Sequence, residues 1–321
     1  MAIFNAESYQ EVSLDWLRFT LKFDNPGNSK AKELYGGFWP CVRAELIEVL
    51  EKTMGVSNGE LVEKTTVKGY DHILKYSNGL EMQYHETFSY MGISVELSGD
   101  TLRRYRSTGV TDRELISRLD FEIELPPNDI RDEAVIWKRH GTRVDLAIDY
   151  FNSGINVETL ANKVTRTKTI KVHFLKMNKQ TKEYTENLSA AEAYAHMNDG
   201  VFNTLYIGRP QGEFQVRIYN KLLEQSTKKG GHIPKGVQSW VRAELTFMGD
   251  WPESFIRSAL RVHNDNDFKK LFYLFFLRKM VLKYEPSGRY HDITKDMKKK
   301  AEGAEMVQYS KAEPDDILKS K

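Results

Sequence analysis

Apolar residues fall at every second position in several separated stretches of the chain. That period marks a strand with one buried face. "VSLDWLRFTLKF" predicts an early strand on Leu17, Phe19, Leu21 and Phe23, with Leu14 and, weakly, Trp16 before them. "GISVELSG" turns Ile93, Val95 and Leu97 inward and leaves Glu96 outward. "RVDLAID" buries Val144, Leu146 and Ile148 and displays Arg143, Asp145 and Asp149. "QVRIYNK" sets Val216 and Ile218 against Gln215, Arg217, Tyr219 and Lys221. "WVRAEL" sets Val241, Ala243 and Leu245 against Arg242 and Glu244. "KVHFLKM" and "TLYIG" also read as strands, and Asn78-Gly79 inside "HILKYSNGLEMQYHE" predicts a hairpin.

Helical signals lie between these strands. "SKAKELYGGFWPCVRAELIEVLEKTMG" is expected to be helical in its second half and to close at Gly55. Capping boxes in "TDREL", from Thr111, and "SAAEAY", from Ser189, each predict a helix start. "WPESFIRSALRV" is a further helix. The run "LFYLFFL", Leu271 to Leu277, is far shorter than the ~20 residues a membrane span needs and reads as a buried helix. The Lys-rich stretch after Ile293 reads as a solvated helix or tail. No Gly-rich loop joins a strand to a helix, which disfavours a doubly wound fold. The expected fold is α+β, with a largely antiparallel central sheet and flanking helices. The expected division is a main domain over residues 1–270 and a C-terminal helical segment with a basic, polar tail over 271–321.

Composition narrows the partners. With 47 basic and 45 acidic residues the formal net charge is only +2, so attraction to phosphate must come from local clusters. The single cysteine, Cys41, excludes an intramolecular disulfide and argues against a cysteine zinc site; it is expected in the core. There is no His-x-His pair. The N-terminal stretch lacks the basic and apolar regions of a secretory signal, which points to the cytoplasm and away from a membrane.

The polar sides of the alternating strands carry the candidate chemistry. If the strands are neighbours in one sheet, that face gathers Glu96, Asp145, Asp149, Glu244, Arg217, Tyr219 and Lys221. Clustered carboxylates suit a hard divalent cation, and such a cation polarises a phosphoryl group. Arg and Lys balance phosphate charge, and a Tyr hydroxyl is a competent covalent nucleophile. The plainer alternative remains open. Alternating charges ordinarily form a solvated face, Asp145 or Glu244 could pair with Arg143 or Arg242, and aromatic residues favour strands in any case.

Taken together, "GTRVDLAIDYF", "TLYIG" followed by "FQVRIYNKLLEQ", and "WVRAEL" resemble the Rep_trans family of rolling-circle replication initiators. That family includes staphylococcal plasmid Rep proteins and related relaxases of conjugative elements. The resemblance runs from about Ser13 to Phe247. It implies a Rep- or relaxase-like nickase fold and a site-specific DNA nicking and joining protein. Tyr219 would attack the origin phosphodiester, taking a 5′-phosphotyrosyl link and freeing a 3′-hydroxyl. Arg217 and Lys221 would hold the phosphate, and Glu244 and Arg242 would support them. Asp145, Asp149 and Glu96 would bind Mg²⁺ or Mn²⁺. The implied partners are origin DNA, single-stranded or extruded as a hairpin, a host helicase of the UvrD/PcrA type, and a second copy of the chain. The loop "YIGRPQGEF" departs from its relatives, where a Ser-Asp turn is common. Lys228, Lys229 and Lys235 in "STKKGGHIPK" are candidate DNA contacts, and Trp240 is a candidate for stacking on bases unless it packs in the core. A conjugative relaxase shares the chemistry. The alternatives from other classes are an origin-binding protein without catalysis and a two-carboxylate hydrolase.

Overall fold

The computed structural model describes residues 7–23, 29–67, 69–125, 135–158, 160, 171–177, 184–190, 193–198, 201–208, 212–279 and 293–307. In chain order the elements begin with β1 (Tyr9–Phe23), α1 (Ser29–Met54), β2 (Glu60–Val67), β3 (Tyr70–Lys75), β4 (Glu81–Tyr84) and β5 (Ile93–Leu97). There follow α2 (Gly99–Ser107), α3 (Asp112–Ser117), β6 (Glu122–Leu125), β7 (Val135–Phe151), β8 (Lys171–Met177) and β9 (Tyr184–Ala190). Then come β10 (Ala193–Asn198), β11 (Val201–Ile207), β12 (Phe214–Asn220), α4 (Lys221–Thr227) and β13 (Trp240–Phe247). Helices α5 (Trp251–Leu260), α6 (Asp265–Lys279) and α7 (Ile293–Lys300) end the series.

These elements form two compact units. The first takes its residues from Met1–Ser13, Asp145–Met248 and Val262–Val307; the second takes Leu14–Val144 and Gly249–Arg261. Strands β1 and β7 each contribute one end to each unit.

In the second unit the strand order is β1-β5-β4-β3-β2, with β6 paired to the start of β7. The β1–β5 register sets Leu17 opposite Leu97, Phe19 opposite Val95 and Leu21 opposite Ile93, and all six side chains are buried. One-face burial of this kind is what fixes a register, because a one-residue slip would expose the whole apolar row. The expected hairpin joins β3 to β4, with Gly79 at φ 87° and the Asn78 side chain accepting the Leu80 N–H at 3.0 Å. Helix α1 starts earlier than its sequence predicts and carries Pro40 within it. The buried series Trp39, Val42, Leu46, Leu50 and Met54 explains why it continues: packing of this stripe outweighs local propensity. Cys41 is exposed on that helix rather than in the core. The Thr111 capping box is complete, with Thr111 and Glu114 each accepting the other's backbone N–H.

In the first unit the order is β10-β11-β12-β13, followed by the end of β7 and the start of β1. The segment from Ser189 contradicts its predicted helix: β9 ends at Ala190, and Ala193–Asn198 pair with β11 as a strand. A capping box only satisfies the first turn, and here the strand ladder supplies the backbone partners instead. The run "LFYLFFL" is indeed a buried helix, with Phe275 edge-on to Phe247 of β13. Among the described residues no helix is long and apolar enough to cross a membrane. Helix α7 is docked rather than solvated. Its Met297 is fully buried, and Asp296 accepts from the Gln10 side chain at 2.9 Å while Lys300 donates to it.

A buried charge cluster ties α5 to β7 in the second unit. Glu253 takes a two-pronged contact from Arg139 at 2.7 and 3.0 Å, the Gly141 N–H at 2.8 Å and Arg257 at 3.0 Å. Gly141 is needed there because a Cβ would meet Ile256 at 2.9 Å and the Glu253 backbone nitrogen at 3.0 Å. Burial pushes the Glu253 carboxyl up, but Arg139, the Gly141 N–H and Arg257 together hold it below its ordinary value. Its stabilising contribution is therefore present above the unfolded value of 4.5 and fades as pH falls through the lower, folded value. Replacing Glu253 with Gln should cost about 3–5 kcal/mol near neutral pH, because it strands the Arg139 charge. Urea unfolding of both proteins should show that gap narrowing in acid, and a gap unchanged with pH would contradict the assignment.

Candidate active site

Tyr219 is the penultimate residue of β12, and its register partners are Thr204 on β11 and Arg242 on β13. Alternation along β12 is clean: Phe214, Val216 and Ile218 are buried on one face, and Gln215, Arg217 and Tyr219 stand half-buried on the other. The strand stops at Asn220, whose side chain accepts the Leu223 N–H at 2.9 Å and caps α4. Lys221 is thus the first residue of a helix and not, as expected, the last of the strand. The turn brings its ammonium back over the Tyr219 ring, where it donates to the phenol oxygen at 3.2 Å and pairs with Glu224 at 2.5 Å.

The Tyr219 phenol donates a short hydrogen bond to Glu244 Oε1. The other oxygen of Glu244 pairs with Arg217 at 2.5 Å, and the same guanidinium lies 3.9 Å from Asp145. Glu244 is 2% exposed, Asp145 1% and Asp149 5%, so the carboxylates expected on an open face are buried. Burial, and after it the Glu244 charge, push the Tyr219 phenol well above its ordinary range, with Arg242 acting in the opposite direction. Flanking cations by themselves would favour the phenolate. At rest the reverse holds: a neutral phenol is held against a carboxylate that can take its proton.

Asp149 has a different environment. Its Oδ1 accepts from Trp240 Nε1 at 2.5 Å and Arg242 Nε at 2.8 Å, and its Oδ2 accepts from Arg242 at 2.7 Å. Arg242 also lies 3.9 Å from Glu244, which links the two acids. Trp240 is 8% exposed and packs against Phe151 at 5.1 Å, so it has no open face to offer a base. Glu96 belongs to the second unit, where it lies opposite Arg18 on β1 with their charged groups 3.6 Å apart. Lys228, Lys229 and Lys235 are in the loop from α4 to β13, and all three are exposed. That loop is a built turn. Gln225 accepts the His232 N–H at 3.0 Å, and a Cβ on Gly231 would strike the Gln225 carbonyl at 1.9 Å.

In this arrangement the acids do not fit a divalent cation. Asp149 is taken up by Trp240 and Arg242, while Arg217 occupies the space between Asp145 and Glu244. Among the described residues no three His, Cys, Asp or Glu side chains converge on a point that could hold a metal. Sequence reasoning missed the hydrogen bond that Glu244 accepts from Tyr219 and the pairing of Asp149 with Trp240, because alternation names a face but not the partners across it.

A family model described as replication initiation factor, Rep_trans, matches residues 140–298, the segment that carries Tyr219, Glu244, Arg217 and Asp149. Among solved structures, this chain is similar to the rolling circle replication initiator protein from Geobacillus stearothermophilus. The TM-score is 0.56 at 16% identity, over 91% of this chain and 97% of that one. At that identity the likeness establishes the shared fold, a mixed helix and strand architecture built on antiparallel sheet. No curated protein sequence matches the chain.

The Asp149 pairing makes a specific prediction. Asp149→Ala should remove the bonded partner of Arg242, leaving it the longer approach to Glu244, and cost about 3–5 kcal/mol. It should also free the indole of Trp240. Chemical unfolding followed by tryptophan emission checks both, and a variant with unaltered midpoint and spectrum would show that the pairing is idle.

Proposed function

We propose that this chain is a site-specific DNA nicking and joining protein that initiates rolling-circle replication, with Tyr219 as nucleophile. The observation that carries the reading is the constellation at one phenol: Glu244 as acceptor, Lys221 as donor and Arg217 behind the carboxylate. The Tyr219 oxygen attacks the scissile phosphorus, and its proton passes to Glu244. The bond from phosphorus to the 3′ oxygen breaks and that oxygen takes a proton, leaving a 3′-hydroxyl and a phosphotyrosyl link to the 5′ end. Lys221, already within hydrogen-bond reach of the phenol oxygen, stands where charge develops on the phosphoryl oxygens. One phosphodiester replaces another, so the step needs no nucleotide and runs backwards when the 3′-hydroxyl returns. The 3′ end primes synthesis, which calls for a helicase and fits action in the cytoplasm.

A silent DNA-binding protein would have no use for a buried acid aimed at a tyrosine. Tyr219→Phe should keep DNA affinity and abolish the covalent adduct, read on a denaturing gel after incubation with supercoiled origin DNA. Glu244→Gln should slow adduct formation by about 10²–10⁴-fold, the usual worth of a general base. An adduct formed by the Phe variant would exclude Tyr219, and full speed in the Gln variant would exclude the proton transfer. The expected requirement for Mg²⁺ or Mn²⁺ is read in the same assay with chelator. Adduct formation that survives leaves the acids their ion-pair roles, whereas its loss means that Arg217 yields its place to a cation.

The lysines of the α4–β13 loop give a separate expectation. Replacing Lys228 and Lys229 with Ala should lower the slope of log affinity against log salt by about one unit for each phosphate that is no longer neutralised. Cleavage of a short single strand at saturation should be unaffected. An unchanged slope would remove the loop from the DNA path.

A further inference from the structure

The stacking role that sequence pattern offered to Trp240 is passed outward by the fold. Trp240 packs on Phe151, and Phe151 stacks on Tyr9, ring centroids 4.5 Å apart and planes 17° apart. Tyr9 opens β1, one strand farther along the sheet than β7, and it is 41% exposed. Its direction is set by its neighbour. Gln10 bonds Asp296 and Lys300 of α7, and successive strand side chains take opposite faces. Tyr9 therefore shares the face of Asp149 and Arg242, the register partner of Tyr219. Burial, then the charges of Glu11 and Asp149, raise its phenol above the ordinary value, which puts the hydroxyl in the field of that acid. Three strand spacings separate β12 from β1, about 14 Å.

A second observation converges on the same place. Asn152, the residue after Phe151, holds a left-handed backbone at φ 50°. Its side-chain oxygen accepts the N–H groups of Gln238 at 2.8 Å and Ser239 at 3.2 Å, and its own N–H donates to the Ser239 carbonyl at 2.9 Å. The loop bearing Lys228, Lys229 and Lys235 is thereby fastened beside the aromatic stack. An open, preorganised ring next to a cationic loop has the chemistry of single-stranded nucleic acid binding: bases stack while phosphates meet charge.

We propose that Tyr9 is the base-stacking platform of the DNA path, holding a nucleobase of the single strand that Tyr219 cuts. This rests on the strand-transfer reading of Tyr219, so the test uses Tyr219→Phe protein, which forms no adduct, in buffer with chelator. Fluorescence anisotropy is measured with labelled oligothymidylate of about 20 nucleotides, longer than a single-strand site of this kind. A second probe is a phosphodiester strand of equal length that is abasic throughout. Tyr9→Leu should weaken oligothymidylate binding about tenfold and leave the abasic strand unchanged, since stacking on an aromatic is what it removes. Tyr9→Trp should restore the loss. Equal weakening of both strands, or no weakening of oligothymidylate, overturns the proposal. Absence of an adduct in the unmodified protein would instead refute the nicking reading, and the discrimination between base and abasic strands would still report on Tyr9.

Discussion

Glu244 is a charge with almost no access to water, and the first unit is organised by the need to compensate it. An unpaired buried carboxylate costs several kcal/mol. Here both oxygens are engaged, one by the Tyr219 phenol and one by Arg217. The partners come from the adjacent strand, so the antiparallel register of β12 and β13 is itself part of the compensation. Arg217 lies directly opposite Glu244, and Tyr219 opposite Arg242. Shift the register by one residue and the acid would face the apolar row of Val216 and Ile218 instead.

The same compensation has a chemical consequence. A carboxylate that must be satisfied by a phenol is also one that can take the phenol's proton. Arg217 pairs with Glu244 without standing between it and Tyr219, and Lys221 reaches the phenol oxygen from the other side because Asn220 ends the strand and starts a helix. A tyrosine in a plain strand could not receive its neighbour two residues on in this way, since both would point out side by side. The strand-to-helix turn converts a sequence neighbour into a spatial one.

Strand β7 shows the theme twice. In the second unit Arg139 and the Gly141 N–H converge on Glu253 of α5; in the first, Asp149 is closed off by Trp240 and Arg242. Both clusters are fully bonded, and both carry charge where a hydrophobic residue would have been easier to bury. In the first unit the cluster continues into aromatic surface, from Trp240 through Phe151 to Tyr9, and there the chain meets water.

Alternation in the sequence was enough to place β5, β7, β12 and β13, to identify the buried rows, and to single out Tyr219 with Arg217, because a two-residue period is a property of the strand alone. The family likeness of "RVDLAID", "RIYNK" and "WVRAEL" was legible for the same reason: the motifs are local. What pattern could not decide was decided by packing. The segment after Ser189 has a helix-start motif and is a strand, because β11 lies beside it. Cys41 reads as core and is exposed, because its neighbours Trp39 and Val42 take the inward positions of α1. Pattern leaves Trp240 open between base stacking and the core, and packing buries it on Asp149, while Tyr9, outside any apolar rhythm, ends up as an exposed ring. Which carboxylate faces a phenol and which a guanidinium depends on strand order and register. Those are set by summed burial over the whole sheet, and no short stretch of sequence contains that sum.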